Sequence, residues 1–111
     1  MKTIKANELI KTLDWIAQFG KGTTPIPEPK LNQNGSYECL IYIPLIEKTV
    51  IGLGDSKIEA VDNAAHQSSK IIDEYMENHD IELKRTLGPG EYILEEDDSG
   101  YVSIYLMPKT N

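Results

Sequence analysis

The stretch GLGDSKIEAV, residues 52–61, leads into the longest helical pattern of the chain and is the first place to look for chemistry. A glycine-rich loop before a helix binds phosphate when its free backbone N–H groups point at the anion. The phosphate-loop pattern G-x-x-x-x-G-K-[ST] is absent here, and Lys57 stands where the pattern G-x-G-x-x-G requires its third glycine. We therefore do not predict a nucleotide site.

The other residue types that carry catalysis or bind metals are too scattered to act together. Cys39 alternates with strand residues, which favours a packed thiol over a nucleophile. His66 and His79 lie several helical turns apart, without a thiol or carboxylate pair at metal-ligand spacing. The acidic run at 95–100 resembles the start of a calcium loop, but its twelfth position is Leu106 rather than glutamate. We predict no catalytic residues, no metal site, no cofactor and hence no enzyme.

The charge balance argues against a general nucleic-acid binder. Eleven basic and 18 acidic residues give a net charge of −7. Residues 1–79 hold 8 lysines and 11 acids, a charge of −3, and residues 80–111 hold 3 basic residues and 7 acids, a charge of −4. Proteins that bind duplexes usually concentrate positive charge, and neither part of this chain is basic.

The length and the apolar pattern point to one small domain in a reducing compartment. The 111 residues are enough for a single hydrophobic core. With one cysteine, no intrachain disulfide is possible. No apolar run approaches the roughly 20 residues of a membrane span, and the first 16 residues lack the apolar core of a signal peptide. We expect a cytoplasmic protein that does not enter the membrane.

Apolar spacing and turn signals predict seven elements in the order α-β-β-β-α-β-β. These are a helix at 7–19, strands at 28–33, 36–43 and 48–53, a helix at 56–78, and strands at 91–96 and 101–107. Ser56 and Glu59 form a capping box that starts the second helix. We predict an α+β fold in which two helices cover one face of a three-stranded antiparallel sheet. Residues 1–79 form this domain, and 80–111 extend it with a C-terminal β-hairpin.

This arrangement resembles the double-stranded-RNA-binding domain over about residues 3–79. The residues that match the family's segment G-x-G-x-S-K-K-x-A-K-x-x-A-A are Gly52, Gly54, Ser56, Lys57, Ala60, Ala64 and Ala65. The resemblance implies the α-β-β-β-α fold. It also implies that the first helix and the first strand loop reach minor grooves, while lysines at the start of the second helix hold phosphates.

The chain departs from the family at the residues that would hold RNA. Lys57 matches one lysine of the family segment, but Ile58 and Val61 replace the other two. Three acids lie within the same two turns: Asp55, Glu59 and Asp62. The first strand loop, NQNGSY, lacks the histidine of the family. We therefore expect a dsRBD-like frame with weakened RNA contacts.

The leading functional hypothesis is a small interaction module that binds another protein or a second copy of itself. Trp15 and Phe19 lie four residues apart and off the apolar stripe of the first helix. They either dock a partner or lie beneath the hairpin, and we favour the second arrangement. The hairpin itself has two apolar faces, one of which could meet another chain. The candidate interface residues are Trp15, Phe19, Tyr92, Tyr101 and Tyr105.

The alternative hypothesis is binding of structured or double-stranded RNA through a local lysine patch. The candidate contacts are Lys57, Lys11, Lys21 and Lys70. Most duplex affinity comes from counterions that basic side chains release from phosphates, and acids beside those side chains repel the duplex. Duplex RNA is therefore the disfavoured partner.

Overall fold

The computed structural model describes residues 2–21, 28–85 and 90–106. The elements in chain order are β1 (Lys2–Lys5), α1 (Asn7–Phe19), β2 (Lys30–Leu31), β3 (Tyr37–Ile43), β4 (Lys48–Gly54), α2 (Lys57–His79), β5 (Tyr92–Glu96) and β6 (Val102–Leu106). The strands form two antiparallel sheets, the main sheet in the order β2-β3-β4 and the second sheet in the order β1-β5-β6. The predicted α+β class is thus confirmed.

The two helices and the longer strands lie where the apolar spacing predicts them. The strand at the start of the main sheet is shorter than predicted, because only Lys30 and Leu31 pair with β3. The predicted end of the last strand, Met107, lies outside the described residues. Within the described residues, no helix has the length and apolar character needed to cross a membrane.

The strand β1 was not predicted, and its pairing places the C-terminal hairpin in a second sheet, apart from the main sheet. β1 pairs with β5, with Ile4 opposite Leu94, so the hairpin becomes part of a separate three-stranded sheet. Four residues with a single apolar member carry too little alternation to be recognised as a strand. The pairing partner that stabilises β1 is almost at the other end of the chain.

Helix α2 lies directly against strand β4, and small residues make this approach possible. A Cβ atom placed on Gly52 would lie 2.3 Å from the carbonyl oxygen of Ala60 and 2.3 Å from the backbone nitrogen of Ala64. Gly54 is similarly close to the first turn of α2. The alanines themselves have no exposed surface. Glycine on the strand therefore allows the helix backbone to contact the sheet.

Helix α1 packs beside α2 and is joined to it by polar as well as apolar contacts. The hydroxyl groups of Thr12 and Ser68 form a buried hydrogen bond of 2.7 Å between the helices. Trp15 has no exposed surface, and its indole N–H donates to the carbonyl of Pro44 at 2.8 Å. The tryptophan thus connects α1 to the turn between β3 and β4.

Candidate functional site

The N-terminus of α2 is the position where the family resemblance places a phosphate, and side chains of this chain already occupy it. The Ser56 hydroxyl accepts a hydrogen bond from the backbone of Glu59 at 3.4 Å, and the Glu59 carboxylate accepts one from the backbone of Asp55 at 3.0 Å. Glu96 of β5 accepts a third from the backbone N–H of Ile58 at 2.8 Å. Because side chains of the protein, two of them carboxylates, already accept from these donors, the helix start does not offer them to an external anion.

The capping residue Glu59 has a further partner that the sequence does not reveal. Lys2 of β1 reaches its carboxylate at 3.2 Å. The hydrogen bond from Lys2 and the backbone N–H of Asp55 hold the pKa of Glu59 below its ordinary value. The N-terminal strand thus brings a lysine to this helix end, where it pairs with a carboxylate.

The four lysines predicted to contact RNA do not form one patch. Lys57 pairs with Glu28 at 3.0 Å, and this hydrogen bond raises the pKa of the lysine. Lys11 on α1 pairs with Asp73 on α2 at 2.8 Å. Lys21 and Lys70 are exposed. Lys57 and Lys70 are about 20 Å apart along α2, given the rise of a helix.

The predicted protein-interface residues lie in different environments. Trp15 is in the core, so it is not available at the surface, and Phe19 is half-buried with its ring centroid 4.3 Å from that of Trp15. Tyr92 is partly buried beneath the Arg85 guanidinium, 5.9 Å from its ring centroid.

The other two tyrosines are on the surface of the hairpin. Tyr101 is 65% exposed and Tyr105 is 39% exposed. The hydroxyl of Tyr105 donates to the Glu95 carboxylate. These two aromatic rings therefore remain accessible, whereas Trp15 does not.

The main sheet has an exposed apolar surface that was not singled out from the sequence. We call the outer apolar face the surface formed by Leu40 and Tyr42 of β3 and by Ile51 and Leu53 of β4, which are 44–50% exposed. Leu40 lies directly opposite Ile51. Leu45, in the turn between β3 and β4, is also exposed. Leu31 of β2 is exposed as well, but its register partner Tyr37 places it on the helix-facing side of the sheet. The helices cover only the other side of this sheet.

The charges on this side of the sheet cancel each other. By strand register, Lys30 of β2, Glu38 of β3 and Leu53 of β4 lie on this outer side of the main sheet. Among the residues of β2, β3 and β4 whose register places them on the outer side, Lys30 and Glu38 are the charged ones, and they are directly opposite each other. The outer apolar face is thus electrically neutral on a chain with a net charge of −7. The sequence signal was present, since both faces of the predicted strand at 36–43 carry apolar residues.

Side chains from α2 occupy the β4 edge of the main sheet. Gln67 donates from its amide to the carbonyl of Ile51 at 2.9 Å, and Asn63 donates to the carbonyl of Leu53. An edge whose carbonyl groups are already bonded is a poor template for an added strand. The β4 edge is therefore closed to an added strand, whereas the exposed face of the sheet is open to a partner.

The remaining candidates for chemistry are engaged in structural contacts. Burial raises the pKa of the Cys39 thiol to about 11, and the side chain has no exposed surface. His66 contacts the Glu8 carboxylate at 2.9 Å between the two helices. Among the residues that the structure describes, no group of three or more His, Cys, Asp or Glu side chains could hold a metal ion.

Comparison of the chain with protein-family models, with curated proteins and with solved structures found no match.

Proposed function

We propose that this protein is a small non-enzymatic interaction module that forms a homodimer through the outer apolar face. The observation that carries the proposal is the exposure of Leu40, Tyr42, Ile51 and Leu53 on one side of a well-packed sheet. Contiguous apolar surface of this kind is characteristic of protein interfaces. The proposal retains the dsRBD-like frame for residues 3–79 and a cytoplasmic location, which the single cysteine favours.

A second copy of the chain is the partner that the charge distribution favours. Two molecules with a charge of −7 repel each other over most of their surfaces. The outer apolar face brings together neutral surfaces, so the repulsion is smallest there. The face consists of few side chains, and small interfaces are at the low end of specific complexes. We therefore expect a dimer with micromolar affinity.

Replacing Ile51 with lysine is expected to break this dimer and leave the fold intact. The lysine would place a charge in an apolar interface, which raises the dissociation constant at least about 30-fold. Because Ile51 is 50% exposed, the monomer tolerates the change. Sedimentation equilibrium over a range of protein concentrations measures the shift.

The matched control is Ala17→Lys, which adds the same charge at an exposed position of α1. Helix α1 belongs to the layer on the other side of the main sheet, so this variant should dimerise like the original protein. A wild-type chain that stays monomeric at about 100 µM contradicts the proposal, because interfaces of this size support micromolar affinity.

The same proposal predicts no saturable binding to an RNA duplex of about 20 base pairs, a length that covers the site of one dsRBD. Lys57 and Lys11 are paired with carboxylates, and the N–H groups at the start of α2 are occupied. A fluorescence titration in about 50 mM salt is the most sensitive measurement, because duplex binding is tightest at low salt. Micromolar binding that weakens steeply with added salt would contradict this prediction and support the alternative, RNA binding through the candidate lysines.

A further inference from the structure

The strand β6 is the edge of the second sheet, and it lacks the protection found at the β1 and β4 edges. The order β1-β5-β6 leaves its outer side without a paired strand among the described residues. At the opposite edge, β1 begins and ends with lysine, and in the main sheet α2 side chains occupy the β4 edge. The sequence of β6, VSIYL, contains neither charge nor proline. Such an edge can accept another strand.

A cavity of about 270 Å³ lies beside this edge, between the second sheet and the helices. Apolar side chains from four elements line it, including Leu9 of α1, Val61 of α2, Leu94 of β5 and Ile104 of β6. The ion pair between Lys57 and Glu28 lies at its polar margin. The cavity is large enough for one aliphatic or small aromatic side chain.

The register of the hairpin connects the open edge to the cavity. Ile104 lies directly opposite Leu94, so both side chains are on the same face of the second sheet. Leu94 is buried against the core. A strand added beside β6 would place every second side chain on this face. One of those side chains would reach the cavity while the backbone pairs with β6.

The charge around β6 indicates the kind of strand that fits. Residues 90–106 contain five acids and no basic residue; the acids are Glu91, Glu95, Glu96, Asp97 and Asp98. A second β6 would bring the same acidic hairpin close to this one, which costs affinity. A segment with lysine or arginine next to its apolar residues would instead be attracted.

We propose that β6 and the adjoining cavity bind an extended segment of a partner protein in which apolar and basic residues alternate. The segment adds a fourth strand to the second sheet, its backbone pairs with β6, and one apolar side chain enters the cavity. This site is on a different sheet from the proposed dimer interface and does not depend on dimerisation.

The test uses the full chain and a fluorescein-labelled peptide of sequence KVKIKVK, in which the apolar residues share one face of a strand. Fluorescence anisotropy should show saturable binding with a dissociation constant in the micromolar range. The peptide EVEIEVE has the same apolar face with the opposite charge and should bind at least 10-fold more weakly. The peptide KKVIVKK keeps the composition without alternation and should also bind at least 10-fold more weakly.

Two variants on opposite faces of β6 locate the binding. Ile104→Glu places a charge at the cavity and should weaken binding of KVKIKVK at least 10-fold. Tyr105→Glu adds the same charge on the other face of the strand and should leave the affinity unchanged or higher. Circular dichroism establishes that both variants are folded. If Ile104→Glu does not fold, amide chemical shifts of the wild-type chain provide the location, with the largest peptide-induced changes expected at 102–106.

Three results would overturn the proposal. They are absence of saturable binding up to millimolar peptide, equal binding of KVKIKVK and EVEIEVE, or shift changes concentrated at Leu40 and Ile51 instead of β6. None of these outcomes bears on the dimer, which the Ile51→Lys variant tests independently.

Discussion

Replacing Gly52 with alanine is expected to lower the free energy of unfolding by about 3 kcal/mol, the upper end of the usual cost of overpacking, because the contact is with a rigid helix backbone. The added methyl group would lie 2.3 Å from two backbone atoms of α2, the carbonyl oxygen of Ala60 and the nitrogen of Ala64. A flexible side chain could move away from such a contact, but a helix backbone cannot. Helix and strand would have to separate, with loss of packing along their whole interface. Urea denaturation followed by circular dichroism measures the change.

The control for this substitution is Gly35→Ala in the turn before β3. Gly35 has φ +85 and nothing within 4 Å of its added Cβ atom, so the cost there is conformational alone. We expect a loss of about 1–2 kcal/mol, the usual cost of a left-handed conformation for a residue with a side chain. If both variants lost the same stability, the close approach of α2 to β4 would be wrong.

Replacing Trp15 with alanine is expected to destabilise the chain by about 3–5 kcal/mol, as truncation of a large buried aromatic does. The indole has no exposed surface, and its ring lies against Phe19 and Tyr75 at centroid distances of 4.3 and 6.0 Å. Trp15→Phe keeps most of the apolar volume but leaves the carbonyl of Pro44 without its donor, which costs about 1–3 kcal/mol. Urea denaturation of both variants separates packing from hydrogen bonding.

A matched aromatic control is Tyr101→Ala, because Tyr101 is 65% exposed. Its loss should change stability by less than about 1 kcal/mol. A Trp15→Ala variant with unchanged stability but altered self-association would instead support the docking role considered for Trp15 from the sequence. Since Trp15 is the only tryptophan of the chain, native fluorescence emission should also be blue-shifted relative to the unfolded protein.

The sequence was most informative where local rules decide the structure. The capping box at Ser56 and Glu59 marks the start of α2, and the apolar spacing gives α1 its limits. Gly52 and the small residues of α2 were recognised as part of the family pattern, and in the structure they lie at a close helix–strand contact. These signals depend on residues a few positions apart, which a sequence displays directly.

Contacts between residues far apart in the sequence could not be predicted from it. Lys57 was correctly placed at the start of the second helix, but its pairing with Glu28 depends on how the chain folds back. The same holds for Glu96, which reaches the backbone of Ile58 from another strand. In the sequence, a carboxylate from a distant strand that occupies a helix end is indistinguishable from one that faces solvent.

The exposed residues of the main sheet illustrate a different difficulty. Alternation identified β3 as a strand, but apolar residues on both of its faces do not show which side the helices cover. To assign the buried side, one needs the register with β4, in which Leu40 is opposite Ile51 and Ile41 is opposite Val50. With that register, one pair is exposed and the other is buried. The candidate interface consequently emerged from the structure.

The pairing of β1 with β5 has a consequence for synthesis on the ribosome. Lys5 and Ile93 are register partners although 88 positions separate them. At typical elongation rates the nascent chain spends roughly 4–18 s between these two residues. Both helices and the main sheet can assemble in that interval, whereas β1 waits without a partner. Translation therefore imposes an order in which the second sheet is completed last.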